Sequence, residues 1–244
     1  MAVPDPVAEA ARAGEPDRYL AALYAPEPAR SRLIALAAFA ADLTRIGAIV
    51  REPLLMEIRL QWWRDALGAG QRGEATGHPV ADRLAPEIAS GRLPLGLLQG
   101  MIDAAARPDM VAKASDSQAL KAFLSKSDGA AFLLAARALG AGHSESVDAA
   151  CQDAGVAYGL ARIVLTARNL SPETMALHTA RSRQALAQAA LGVGRLDSAL
   201  LPAFLPLAMT TAYLKAAAST PGGGAMPLRR WWRLARANLS GRLA

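Results

Sequence analysis

The apolar residues of this chain are mostly alanine and leucine, and they recur at helical spacing. That combination confines the chain to an all-helical fold. Hydrophobic residues make up 52% of the sequence but aromatics only 5%, so small and aliphatic side chains must fill the interior. Alanine and leucine lose little side-chain entropy in a helix. The sparse valine, isoleucine, threonine and tyrosine leave little from which to build strands. A chain of 244 residues is long enough to bury one sizeable core, and short connections favour antiparallel helices in one bundle.

The expected organisation is an unstructured lead-in over residues 1–14, one helical domain over 15–220, and a glycine-rich joint with a basic C-terminal helix over 221–244. A first helix, Asp17 to Tyr24, should stop at Ala25-Pro-Glu-Pro28. Ser31 is placed to cap a long helix reaching about Val50, whose few polar residues, Asp42, Thr44 and Arg45, mark it as central. Asp42 and Arg45 stand three apart and can pair. Pro53 suits the first turn of a helix reaching Ala69. There Met56, Leu60, Trp63 and Leu67 form one stripe, with Leu55, Ile58, Trp62 and Ala66 beside it, so a wide, deeply packed face is expected. Shorter helices follow over His78–Ala89 and Pro94–Ala106. A long one over Ser115–Leu139 should be closed by Gly140-Ala-Gly142. Ser144 to about Ala167 is the second central helix, and Thr174–Leu191 and Asp197–Ala218 come next. Pro202 and Pro206 should interrupt the last of these.

Composition narrows the function classes. The single cysteine, Cys151, excludes an internal disulfide and a cysteine zinc cluster, and its apolar surroundings suggest a small buried hydrophobe. The first twenty residues have no basic start and no apolar run, so no signal peptide is expected. No run is read as reaching the ~18 apolar residues of a membrane span, and a cytoplasmic protein, at most peripheral at the inner face of the membrane, is expected. The net charge of +6 favours acidic partners. Nucleic acid is not among them, because no binding motif is present and aromatics are too few for base stacking. His78, His143 and His178 share no ligand spacing, so surface or capping roles are expected rather than metal binding. Lys121 to Asp128 reads as a solvated face of mixed charge.

Two segments carry the functional argument: LIALAAFAADLTRIGAIVREPLLMEIRLQWWRDAL (33–67) and GVAYGLARIVLTARNL (155–170). Both resemble the core segments of the squalene/phytoene synthase family, the all-helical head-to-head prenyl transferases with the isoprenoid synthase fold. The resemblance implies two facing helices, each with aspartates four apart, holding magnesium on a diphosphate. The family's first motif, Asp-Asp-x-x-Asp, falls here on Gly47-Ala48-Ile49-Val50-Arg51. The second falls on Gly155 to Thr166, where Gly155, Ala157, Leu160 and Ile163 match. Gly159, Arg162, Leu165 and Thr166 depart from it, and Leu170 stands where the later acid belongs. These degenerate positions (Gly47, Ala48, Arg51, Arg162, Thr166, Leu170) imply a site without its metal and leave no catalytic residue to name. The stretch EPLLMEIRLQWWRDAL resembles a subgroup whose mitochondrial relative is an assembly factor for respiratory complex I (NADH:ubiquinone oxidoreductase).

The expected function is therefore a non-catalytic assembly or chaperone factor with a protein partner and no cofactor. One alternative is an active transferase with unusual motifs, which would need Mg2+. Another is a carrier of an apolar isoprenoid or lipid in the old cavity. Asp42, Arg59 and Trp62 are candidate cavity or partner contacts. The tail, with Arg229, Arg230, Trp231, Trp232, Arg233 and Arg236, is read two ways. It either lies on an anionic membrane or acidic partner, or packs its tryptophans on the domain with the arginines in water.

Overall fold

The computed structural model of the chain describes residues 5–50, 52–107, 117–166, 170–219 and 227–243. Among these the architecture is helical throughout, without a strand. The helices are α1 (Pro6–Gly14), α2 (Pro16–Ala22), α3 (Ala29–Ile49), α4 (Pro53–Gln71), α5 (Pro79–Ala89), α6 (Leu95–Ala105), α7 (Ser117–Leu124), α8 (Ala130–Ala138), α9 (Glu145–Thr166), α10 (Pro172–Val193), α11 (Leu201–Phe204), α12 (Thr210–Ser219) and α13 (Pro227–Ser240). A π-helical turn, Ser125–Gly129, joins α7 to α8.

The two expected central helices are α3 and α9. Helix α3 packs on α1, α2, α4, α5, α6 and α8, while α9 packs on α7, α8, α10, α12 and the π turn. The scarce aromatics sit where these layers meet. Phe39 meets Trp63 edge-on at 4.9 Å, and Phe132 lies between Tyr158 and Phe204 at 5.9 and 6.0 Å. Gly140 takes φ +98°, in the left-handed region that favours glycine, directly after Leu139, the C-cap of α8, and so ends the helix.

Several expectations need correction. Residues 6–14 form a helix rather than an unstructured lead-in. Asp5 caps it by accepting from the Val7 amide at 3.0 Å, Pro6 suits its first turn, and Val7 and Ala11 are buried against α3. Gly14 permits the approach, because a Cβ there would stand 2.4 Å from that of Ala41. Ser31 lies inside α3, with Pro28 at the cap position. The helix expected over 115–139 is interrupted by the π turn. The segment Ser198–Ala218 is apolar and long enough to cross a membrane by composition, but 61% of its apolar window is buried. Pro202 and Pro206 break it into short helices, placing Phe204, Leu205, Leu207 and Met209 in the core.

Helix α4 departs most from its pattern. Leu60, Trp63, Ala66 and Leu67 are buried, whereas Leu54, Leu55, Ile58 and Trp62 are 72%, 49%, 56% and 42% exposed. The helix packs on α3, α5 and α6, so the second apolar stripe, Ala66 apart, faces outward.

Cys151 lies fully inside the fold, and its pKa is pushed up to about 12, first by burial and then by the Asp148 charge. The folded chain thus keeps a proton that the unfolded chain releases near the ordinary thiol value. Its contribution to stability is complete below that value and is lost as pH rises toward about 12. At pH 8 the native protein should resist alkylation by iodoacetamide while the denatured chain labels fully. Labelling of the native protein at the denatured rate would show that this part of the core opens.

Candidate functional site

A cavity of about 270 Å³ lies between the two central helices. Ala40, Leu43, Thr44 and Gly47 of α3 form one wall, and Gly159, Arg162, Ile163 and Thr166 of α9 form the other. Met101, Ala104 and Ala105 of α6, Phe123 and Leu124 of α7, and Ala131 of α8 close it. The two segments singled out in the sequence therefore face each other across one space, and the lining is largely apolar.

Four charges form a closed ring at one side of it. Glu15 comes from the α1–α2 junction, Arg18 from α2, Asp128 from the π turn and Arg162 from α9. Arg18 reaches Glu15 at 3.3 Å and Asp128 at 2.6 Å, while Arg162 reaches Glu15 at 2.9 Å and Asp128 at 3.6 Å. Arg18 also sits over the rings of Phe132 and Tyr158, at 5.0 and 5.4 Å, and Arg162 lies 5.5 Å from Tyr158. Burial alone would lower the pKa of Arg18, but Asp128 and Glu15 outweigh it and raise the value. Glu15 raises that of Arg162 well above its ordinary range. The ring sums to zero charge, which is how buried ions are retained at tolerable cost.

The backbone explains the placement. A Cβ at Gly159 would fall 2.4 Å from Leu124 Cδ2 and 2.9 Å from Asp128 Oδ2. Glycine there lets the π turn press Asp128 against α9, whereas any larger side chain would collide. Such π turns are frequent at functional sites.

Magnesium, which the family resemblance implies, needs several ionised or carbonyl oxygens. The residues present do not fit it. Gly47 and Ala48 offer no side-chain oxygen. Arg162 brings a positive charge, and the Thr166 hydroxyl donates to the carbonyl of Arg162 at 2.8 Å. The cavity's two carboxylates, Glu15 and Asp128, are each engaged by both arginines. Among the described residues no group of three or more His, Cys, Asp or Glu could hold a metal ion.

Of the remaining sequence candidates, Ala48 is exposed, Leu170 packs by a small cluster of Leu120, Leu124, Leu160 and Ile163, and Arg51 lies outside the described residues. Asp42 pairs with Arg45 at 2.6 Å, as its spacing suggested. Arg59 is exposed on α4, and Trp62 packs edge-on against Trp63 and His78. None of Asp42, Arg59 or Trp62 lines the cavity: Asp42 on α3 is held by Arg45, and α4, which carries Arg59 and Trp62, contributes no lining residue. His78 caps α5 as expected. His178 is wholly buried on the inner face of α10, correcting its expected surface role, and burial and then Arg181 lower its pKa.

The tail divides. Arg229, Trp231, Trp232, Arg233 and Arg236 are exposed. Arg230 turns inward, with its Nε 2.5 Å from Asp17 Oδ1, so it is an internal ion-pair partner rather than a surface contact. Asp17 also accepts hydrogen bonds from Tyr158, at 2.8 Å, and from Tyr213. Burial and then the Asp17 charge push both phenol pKa values up, so they donate as neutral hydroxyls.

None of Glu15, Asp17, Arg18 and Asp128 was read as a site residue in the sequence, and Asp128, read there as part of a solvated face, is instead largely buried against Arg18 and Arg162. The available signal was Glu15-Pro-Asp-Arg18, where acid and base stand three apart just before an apolar run. Asp128 had none, because its partners lie 110 residues earlier and 34 later in the chain.

Comparison with known proteins agrees with this fold. The crystal structure of squalene synthase HpnC from Alicyclobacillus acidocaldarius superposes with a TM-score of 0.61 at 16% identity, covering 96% of this chain and 92% of that one. At that identity the likeness establishes the isoprenoid synthase-like fold. No curated protein matches the sequence. Residues 11–171 match the squalene/phytoene synthase family, a span that includes both cavity walls and all four charges of the ring, and the chain belongs to that family.

Proposed function

We propose that this protein is a non-catalytic member of its family that serves as an assembly or chaperone factor, with respiratory complex I as its client. The observation that carries the reading is the content of the two facing walls. Where the family's motifs place carboxylates for magnesium, this chain has Gly47 and Thr166, with Arg162 one turn before the latter, and the two acids that line the cavity, Glu15 and Asp128, are closed into a neutral ring with Arg18 and Arg162. Without a metal to draw off diphosphate, ionisation loses its main electrostatic assistance. The exposed stripe of Leu54, Leu55, Ile58 and Trp62 supports an interaction role, since contiguous apolar surface on a folded protein marks contact with a partner. The client follows from the subgroup that the same helix resembles.

The test has two arms. Purified protein given farnesyl or geranylgeranyl diphosphate with magnesium should release diphosphate at background level beside a working synthase. Chelator-sensitive release would overturn the non-catalytic reading. In the source cell, removal of the protein should lower assembled NADH:ubiquinone oxidoreductase in membranes. The intact chain should restore it, and Leu55→Asp with Ile58→Asp should not. Unchanged enzyme levels would overturn the client.

A second reading is favoured by the apolar lining of the cavity, namely a carrier that retains an isoprenoid or lipid without transforming it. Solvent extraction of the purified protein and mass spectrometry decide it, since a stoichiometric apolar ligand is expected from a carrier and none from a factor whose cavity is vestigial.

A further inference from the structure

We infer that the C-terminal helix α13 is a peripheral docking surface for an anionic lipid bilayer. This inference is independent of the function proposed for the cavity. Residues 227–243 contain five arginines and no aspartate or glutamate. A terminal helix of this kind is often satisfied by packing its large apolar residues on the domain. Here that role is taken by other residues: Leu234, Ala235, Ala237 and Leu243 are buried, and Arg230 is drawn inward to Asp17. Pinned by these contacts, the helix has one orientation, and the opposite face is left in solvent. That face carries Arg229, Arg233 and Arg236 at i, i+4 and i+7, with Trp232 and Leu239 alongside, 67% and 86% exposed. Trp231, 47% exposed, meets Trp232 edge-on at 5.3 Å.

Two properties select a lipid surface. The arginine row complements a negatively charged plane, and its guanidinium groups can spread over several headgroups at once. Beside it, Trp232 and Leu239 are apolar groups left exposed although the helix is already docked, in the position from which they enter the headgroup boundary. An acidic protein would satisfy the arginines, but it would need its own apolar recess for a tryptophan and a leucine seven residues apart. A bilayer interface accepts them without one.

Flotation of the full chain with vesicles tests the inference, using phosphatidylcholine alone or mixed with phosphatidylglycerol. The chain should float with the mixed vesicles at low salt, sediment at high salt and ignore the neutral vesicles. Each arginine contributes roughly fivefold to partitioning on a negative surface. Joint replacement Arg229→Glu, Arg233→Glu and Arg236→Glu should therefore lower it by at least about 100-fold. These side chains are exposed and Arg230 is untouched, so the melting temperature should hold. Trp231→Ser with Trp232→Ser should weaken binding at constant charge. The inference is overturned if the chain floats with neither vesicle or equally with both, or if the triple variant floats like the parent. It is also overturned in favour of a protein partner if the tail captures an acidic protein while vesicle binding is absent.

Discussion

Replacement of Asp17 by alanine is expected to destabilise this protein by about 3–5 kcal/mol, the usual cost of removing one partner from a buried ion pair. For a chain of this size that lowers the melting temperature by about 10 °C. Asp17 is 1% exposed, and its carboxylate receives the Arg230 guanidinium and the hydroxyls of Tyr158 and Tyr213. It ties α2 to α9, α12 and α13 at one point. Alanine would leave a charge and two phenols without their acceptor, and each buried orphan carries its own desolvation cost. The double variant Asp17→Ala with Arg230→Met should recover at least half of the loss, since it removes the orphaned charge along with its partner. Urea unfolding of the four proteins in the cycle measures this. A single-variant cost within about 1 kcal/mol of zero, typical of surface changes, would mean that the buried pair does not form.

A comparable loss is expected for Gly155→Ala, through packing rather than charge. A Cβ at this position would stand 2.4 Å from the amide nitrogen and 2.5 Å from Cα of Gly129, and 3.1 Å from the Asp128 carbonyl carbon. All three are backbone atoms, so no side chain can rotate away. Helix α9 and the π turn would have to separate, at a cost of about 3 kcal/mol or more. The same displacement draws Asp128 away from Arg18 and Arg162, so the ring beside the cavity should open with it. Gly47→Ala provides the contrast. Its Cβ would meet only the Ala105 carbonyl oxygen, at 3.9 Å, inside a helix, and should stabilise by up to about 1 kcal/mol. Thermal unfolding of both variants checks the pair. Equal behaviour would show that the α9 contact is looser than described.

Much of the scaffold was legible because it depends on local chemistry. The starts of α4 and α5 followed from Pro53 and His78, the stop after α8 from Gly140, and the break after α11 from Pro206. The helix α1 was missed although Asp5-Pro6 is a good start signal, because the segment is short and its two buried residues have meaning only against α3. Of the motif positions, Gly47, Arg162 and Thr166 line the facing walls of the cavity, while Ala48 is exposed and Leu170 packs elsewhere. The ring that occupies that side of the cavity was not foreseen, since its members come from four separate elements.

What the sequence determined by itself is the helical class and the two central helices. Each of these rests on residue identity and on spacing within one helix turn. Tertiary structure alone decided which charges became buried partners and which apolar residues stayed in water. Arg230 and Arg233 are the same residue type one turn apart, yet one is held by Asp17 and the other is exposed. Trp62 and Trp63 are neighbours, yet one is at the surface and the other in the core. A helix repeats its faces without specifying which face meets a neighbour. That choice belongs to elements distant in the chain, whose arrival sets both the burial of a side chain and the work its charge must do.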